Sequence, residues 1–313
     1  MPKSFFTYDQ QIVKLETKRL DIADKQAATE KLQQCSYYAL IGGYKQIFKD
    51  PTTRDYLPGT KFEDIVALYR FDEALREIAL HGLLNIERHI RSSLSYSFCN
   101  TFGDNQSAYL NPNNYDLSSP AKAAEVGRLI AVLNRTATTR NTHAYIDYNI
   151  TTYSNVPLWV LVNALTFGTL SKMYEYSISS VKSAVSHEYQ GVDEPKLGKI
   201  LEVLTDFRNV CAHNERLFSH KCARHDIPDL LLHSKMHIPK IGNTFMQGKR
   251  DFFSVVIAFR YLLPSEEFKS FKNKLTRLIN KFENESGARA AEAVLHQMGF
   301  PDNWKKVTSF KVC

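Results

Sequence analysis

Apolar residues along this chain recur mostly at intervals of three and four, the spacing of one face of an α-helix. From Tyr8 to Leu57 the runs are short: Ile12 with Leu15, then Ala28, Leu32 and Cys35. Gly42-Gly43 and Asp50-Pro51 interrupt them, which predicts two or three short helices in a small N-terminal unit, residues 1–57. Pro58-Gly59 is a turn signal, and Thr60 stands before Glu63 in a capping-box arrangement. Ile65, Leu68, Phe71, Leu75, Ile78, Leu83, Ile86, Ile90 and Leu94 then predict one long buried helix, bent near Gly82.

Pro112 to Pro120 reads as a loop, followed by a modest helix around Glu125 to Leu133 and a Thr- and Asn-rich stretch to Asn155. Pro157 should open an apolar helix from Leu158 to Tyr174. A further helix over Lys196 to Glu215 carries the stripe Leu197, Ile200, Leu201, Leu204, Phe207 and Cys211. Phe268, Phe271, Leu275, Leu278 and Phe282 line one face of a late helix whose remainder is basic: Lys269, Lys272, Lys274, Arg277 and Lys281. That basic face is either solvated surface or an RNA contact, for which Lys269, Lys272 and Arg277 are the candidates. No repeat and no sheet-forming alternation occurs, so the expected class is all-α, with a helical core over residues 58–285 and a tail, 286–313, packed on it.

Composition narrows the function more than the fold. The 313 residues are 43% hydrophobic, enough for a full core. The net charge of +7 suits a polyanionic partner such as nucleic acid, although an ordinary basic surface would look the same. Five cysteines without a C-x-x-C pair suggest neither a disulfide framework nor a zinc ribbon, which fits a reducing cytoplasm. Met1 to Thr7 has no signal-peptide character, and Leu158 to Leu170 is too short and polar to span a bilayer, so no membrane role is expected.

The chemistry-bearing candidate is Arg208-Asn209-Val210-Cys211-Ala212-His213. An Arg-x(4–6)-His spacing alone is weak, with roughly one or two chance matches expected in a chain this rich in both residues. Arg76 to His81 and Arg289 to His296 are such matches, carrying Glu77 and Ala290 where Arg208 is followed by Asn209. RNA supplies its own nucleophile in the 2′-hydroxyl, so cleavage needs only a base, a stabiliser for the crowded phosphorane and an acid for the 5′ leaving oxygen. His213 titrates near neutrality and Arg208 offers a permanent fork for phosphate oxygens, while Asn209 could hold the phosphate or orient the imidazole. No metal or cofactor is required. On a straight helix residues five apart differ by roughly 140° and about 7.5 Å in rise, so Arg208 and His213 make no tight dyad, whereas Asn209 and His213 share a face. Arg208 also lies at the edge of the apolar stripe and needs an acidic partner or a second protein surface. A structural alternative makes Arg208 a salt-bridged arginine and His213 a helix-end residue favoured by the macrodipole.

Several segments in order carry a wider resemblance: Tyr8-Asp9-Gln10-Gln11-Ile12; Tyr37-Tyr38-Ala39-Leu40-Ile41-Gly42-Gly43-Tyr44; Pro58-Gly59-Thr60-Lys61-Phe62-Glu63-Asp64-Ile65; and Ile86-Glu87-Arg88-His89-Ile90-Arg91. Pro157-Leu158-Trp159, Phe167-Gly168-Thr169-Leu170-Ser171, the Arg208 motif and Gly299-Phe300-Pro301-Asp302-Asn303-Trp304 complete the set. Together they resemble the AbiD/AbiF-type abortive infection proteins over nearly the whole chain. The resemblance implies a phage-defence or toxin-like protein with a HEPN-like helical bundle, in which two Arg-x(4–6)-His motifs meet across a homodimer. It further implies an RNA substrate and, for some members, a small structured noncoding RNA as partner or inhibitor. It places Glu87 and Arg88 beside the site, although Glu87 and Arg91 also have the spacing of a plain helical salt bridge. The family pattern often has histidine where this chain has Asn214.

Two other readings stay open. His213, His220, Cys222, His225, His233 and His237 lie close in sequence, which would suit a metal enzyme, but their spacing matches no standard zinc signature. The other is a non-catalytic RNA-binding protein of a defence or toxin-antitoxin system, in which Arg208 only grips phosphate.

Overall fold

The computed structural model describes residues 4–312. It is a helical protein whose sole strands among the described residues form a hairpin of two-residue arms, Lys240–Ile241 and Thr244–Phe245. None of the described helices is long and apolar enough to cross a membrane.

The chain opens with α1 (Tyr8–Glu16) and α2 (Lys25–Cys35), then a π-helical turn, Tyr38–Gly42, and a 3-10 turn, Lys45–Phe48. Thr7 and Asp24 cap the two helices by accepting from the backbones of Gln10 and Ala27. The long helix follows as α3 (Phe62–Phe102), 41 residues and about 60 Å at 1.5 Å per residue. Its cap is displaced by one residue from the expected arrangement: Lys61 stands at the N-cap, and Asp64 rather than Glu63 accepts its backbone N–H at 2.8 Å. The helix is unbroken through Gly82, where the missing side chain admits the Phe259 ring; a Cβ there would lie 2.4 Å from Phe259 Cε2.

The middle of the chain forms α4 (Gln106–Leu110), α5 (Pro120–Thr138) and α6 (Ala144–Tyr153), so the Thr- and Asn-rich stretch is itself partly helical. The apolar helix expected from Leu158 to Tyr174 divides into α7 (Leu158–Leu161), a 3-10 turn over Val162–Ala164 and α8 (Phe167–Tyr176). The division has a local cause. Thr166 caps α8 by accepting from the Thr169 backbone, which holds Leu165 extended, and the Leu165 carbonyl accepts from Arg91 on α3.

Next come α9 (Ser179–Ser186) and α10 (Glu194–Ala212), the latter started by Asp193 and Pro195. The remainder is α11 (Leu231–Lys235), α12 (Phe252–Leu262), α13 (Ser265–Ser286) and α14 (Ala288–Gln297). Phe252, Phe253, Val255, Val256, Ile257, Ala258 and Phe259 on α12 are all fully buried, so this helix is enclosed on every side. α13 lies along α3, with Phe282 against Phe71 at 5.2 Å between ring centroids and Glu267 accepting from Asn85. The tail follows: the Phe253 N–H donates to the Met298 carbonyl, and Phe300 stacks on Phe252 and meets Trp304 edge-on. One continuous set of buried side chains runs from Ile12 to Val307.

Candidate functional site

α10 packs against α3, α8, α9 and α12, and this fixes which way each motif residue faces. Leu197, Ile200, Leu201, Leu204, Phe207 and Cys211 are buried as the stripe predicts. Burial pushes the Cys211 thiol up to about 12, so the cysteine inside the motif stays a neutral packing group.

Arg208, at the edge of that stripe, turns toward α3. Its Nε faces Glu87 Oε2 at 3.4 Å, an ion pair without hydrogen-bond geometry, and both atoms are shielded from solvent. The other oxygen of Glu87 accepts from Arg91 Nη2, which also donates to the Leu165 carbonyl at 2.9 Å. Glu87 is 1% exposed, while the Arg91 and Arg208 side chains keep 25% and 26%. One buried carboxylate therefore holds two guanidinium groups that both reach the surface, and the charge left over is positive.

Asn209 and His213 lie on the other side of the helix and are exposed. The His213 N–H donates to the Asn209 carbonyl at 2.9 Å, so they stand one turn apart on one face. Among the described residues neither side chain makes a hydrogen bond or ion pair, so no such contact within them orients the imidazole. Arg208 and His213 accordingly serve opposite sides of their helix.

The helix stops at His213 for an identifiable reason. Asn214 takes the left-handed conformation, φ 56°, with its N–H bonded to the Cys211 carbonyl, and the Glu215 N–H returns to Val210. This is a Schellman ending with asparagine in the position usually held by glycine. The departing chain is then clamped by Asp72 of α3, which is fully buried and accepts from the Leu217 and Phe218 amides, Tyr44 Oη and Arg76. Burial raises the Asp72 carboxyl, opposed by the Arg76 charge and these hydrogen bonds. Arg76 also reaches the Glu215 carbonyl, and Arg216 bonds the Gly43 carbonyl. Arg76, one of the two chance spacing matches, is thus the partner of a buried aspartate.

The remaining candidates are placed apart. Arg88 is exposed and donates to Asn85, whose amide bonds Glu267 of α13, so it does not join Arg208 at Glu87. Lys269 pairs with Glu266 at 2.7 Å, whereas Lys272 and Arg277 form no ion pair among the described residues. Because α13 leaves Asn85 and runs back toward Phe71, its basic face extends away from Arg208. The histidines are separately engaged. His220 meets Asp206 at 2.6 Å, His225 meets Glu202 at 3.1 Å, and buried His233 contacts the Gly248 carbonyl at 2.8 Å. The described residues contain no group of three or more His, Cys, Asp or Glu arranged to hold a metal ion.

Sequence reasoning did not place Arg91 in the site, although its spacing from Glu87 was visible. It also gave no role to Tyr44 and Asp72, which lie far apart in the chain.

No curated protein and no solved structure matches this chain. The model of one family, described as Abi-like protein, matches residues 30–219, from the second half of α2 to just past the clamp beyond His213. Tyr44, Asp72, Glu87, Arg91, Arg208, Asn209 and His213 all fall inside that span, and the chain belongs to the Abi-like protein family.

Proposed function

We propose that this protein is a metal-independent endoribonuclease of an abortive-infection defence against phage, with a HEPN-type active site completed by a second copy of the chain. One observation carries the reading: buried Glu87 holds Arg208 and Arg91 as a cationic pair that reaches the surface, while Asn209 and His213 are exposed on another side of the same helix. Guanidinium groups fixed before substrate arrives stabilise the developing phosphorane charge without reorganisation.

In the reaction the 2′-hydroxyl attacks the adjacent phosphorus while an imidazole takes its proton. The P–O5′ bond breaks as the 5′ oxygen accepts a proton, leaving a 2′,3′-cyclic phosphate and a 5′-hydroxyl. Base and acid are separate duties, and each chain supplies one His213. A two-fold pair of chains provides two imidazoles over a doubled set of arginines, which also answers the lack of a hydrogen bond to the His213 imidazole among the described residues. That same lack favours a second reading, in which the protein holds a small structured RNA and cuts nothing.

The test uses the purified protein in EDTA with labelled single-stranded RNA and a matched strand of 2′-deoxyriboses. Cutting confined to the ribose strand, and lost in His213→Ala while RNA still binds, is the expected result. Equal cutting of both strands, or loss of cutting in EDTA, would overturn the mechanism. Binding without any cutting would support the second reading.

A further inference from the structure

Between residues 139 and 163 the most exposed large apolar side chains are aromatic, with Tyr148, Tyr153 and Trp159 at 58%, 61% and 50%, while Ile150 and Val160 are half-buried. Tyr96 on α3, at 73%, is the most open tyrosine after Tyr38 among the exposed large side chains. The backbone shows how these groups relate to Arg208. At one end Leu165 is bonded by Arg91, which shares Glu87 with Arg208. At the other end the Cys99 sulfur takes a hydrogen bond from the Leu158 backbone. The segment 158–165 therefore runs antiparallel over α3 from Cys99 to Arg91, about 12 Å, the span of three to four bases stacked at about 3.4 Å. Trp159 follows Leu158 at the Cys99 end, Tyr96 lies three residues before Cys99 on α3, and α6, which carries Tyr148 and Tyr153, packs against α7.

We infer that this aromatic strip is a stacking track for an unpaired RNA strand that extends away from Arg208; the inference rests on the RNA-directed reading of the site. The charge beside the strip favours RNA as its occupant, and a contact between protein chains is an outcome of the test. The strip is tyrosine and tryptophan set among Arg140, Asn141, Asn149 and several threonines. Aromatic faces bind bases of any sequence, and the cationic end at Arg91 and Arg208 with the chain's net charge of +7 suits the phosphates. The rings of Tyr148 and Tyr153 stand at 83° with their hydroxyls 3.5 Å apart, so at most one offers its face in the direction of a given base. The track assigns a role to the middle helices, which otherwise hold no part of the site.

The experiment uses the full chain carrying His213→Ala, so that substrate is not consumed, titrated with a 12-nucleotide single-stranded RNA and separately with a duplex of equal length. Trp304 is buried, leaving Trp159 as the solvent-facing indole. The expected result is fluorescence quenching by the single strand and not by the duplex. Affinity should fall roughly 5- to 150-fold in Trp159→Leu and in Tyr96→Leu, the range for losing one stacked base, and be retained in Trp159→Phe. Unchanged single-strand affinity in both leucine variants would overturn the track. So would a change of oligomeric state in Trp159→Leu at unaltered RNA affinity, which would make the strip a contact between chains. Stacking with no cutting by the unmodified protein would leave the track standing and remove the nuclease reading; cutting with no effect of Trp159→Leu would do the reverse.

Discussion

Replacing Glu87 by Gln keeps the side chain's shape and removes the one negative charge between two guanidinium groups. At 3.4 Å and an effective dielectric near 20, a single such pair attracts by about 5 kcal/mol before desolvation is counted. Removing one partner of a buried ion pair usually costs about 3–5 kcal/mol. The low end applies here, about 3 kcal/mol, because Arg91 and Arg208 each keep roughly a quarter of their surface in water. At about 2 °C per kcal/mol for a chain of this size, the midpoint of thermal unfolding should drop by about 6 °C. Chemical denaturation of the wild type, Glu87→Gln, Arg208→Gln and the double variant gives the coupling directly. The double variant should be less destabilised than the sum of the singles by about 1 kcal/mol or more. Strict additivity, or a Glu87→Gln protein within about 0.5 kcal/mol of the wild type, would show that the carboxylate does not anchor Arg208.

Three other outcomes follow from local geometry. Asn214→Ala should cost about 1–2 kcal/mol by equilibrium unfolding, because φ is 56° there, while Asn214→Gly should be tolerated. Gly82→Ala should cost about 1–3 kcal/mol, since the new methyl would overlap the Phe259 ring enclosed between α3 and α12. Burial pushes the Asp251 carboxyl up to about 7, against about 3.9 in an unfolded chain, so the native state holds the extra proton across that window. The associated stability is present in full below about pH 4 and is lost as pH rises through about 7; unfolding of Asp251→Asn measured at pH 4.5 and 7.5 should show a flatter dependence.

The parts of the fold legible in the sequence are those with one wet and one dry side. α3, α10 and α13 each bury a stripe against neighbours, and their three-and-four spacing marks them. α12 escapes that reading because helices surround it, leaving no polar face to set a period. The break at Leu165 was hidden for another reason: the apolar pattern continues through it, and a threonine cap together with a distant arginine decides the backbone. At the site the helical wheel showed that Arg208 needs an acidic partner or a second protein surface and that Asn209 and His213 share a face. The sharing of Glu87 with Arg91 required tertiary structure, because a carboxylate with an i,i+4 arginine looks complete by itself.

The same distinction applies to Gly42-Gly43-Tyr44, a stretch that carries no obvious chemistry in the sequence. Tyr44 bonds buried Asp72, Gly43 offers its carbonyl to Arg216, and Asp72 grips the amides of Leu217 and Phe218. These contacts join three separate stretches of chain at the point where α10 ends, immediately after His213. A helix end is ordinarily where backbone frays, and an exposed histidine there would wander with it. Here the left-handed Asn214 and the Asp72 clamp pin both the termination and the exit of the chain, so the backbone position of His213 is set by its neighbour and by an aspartate on α3. Any role that requires two copies of His213 to meet a common phosphate depends first on that helix end being fixed, and the N-terminal unit supplies part of the fixing through Tyr44 and Gly43.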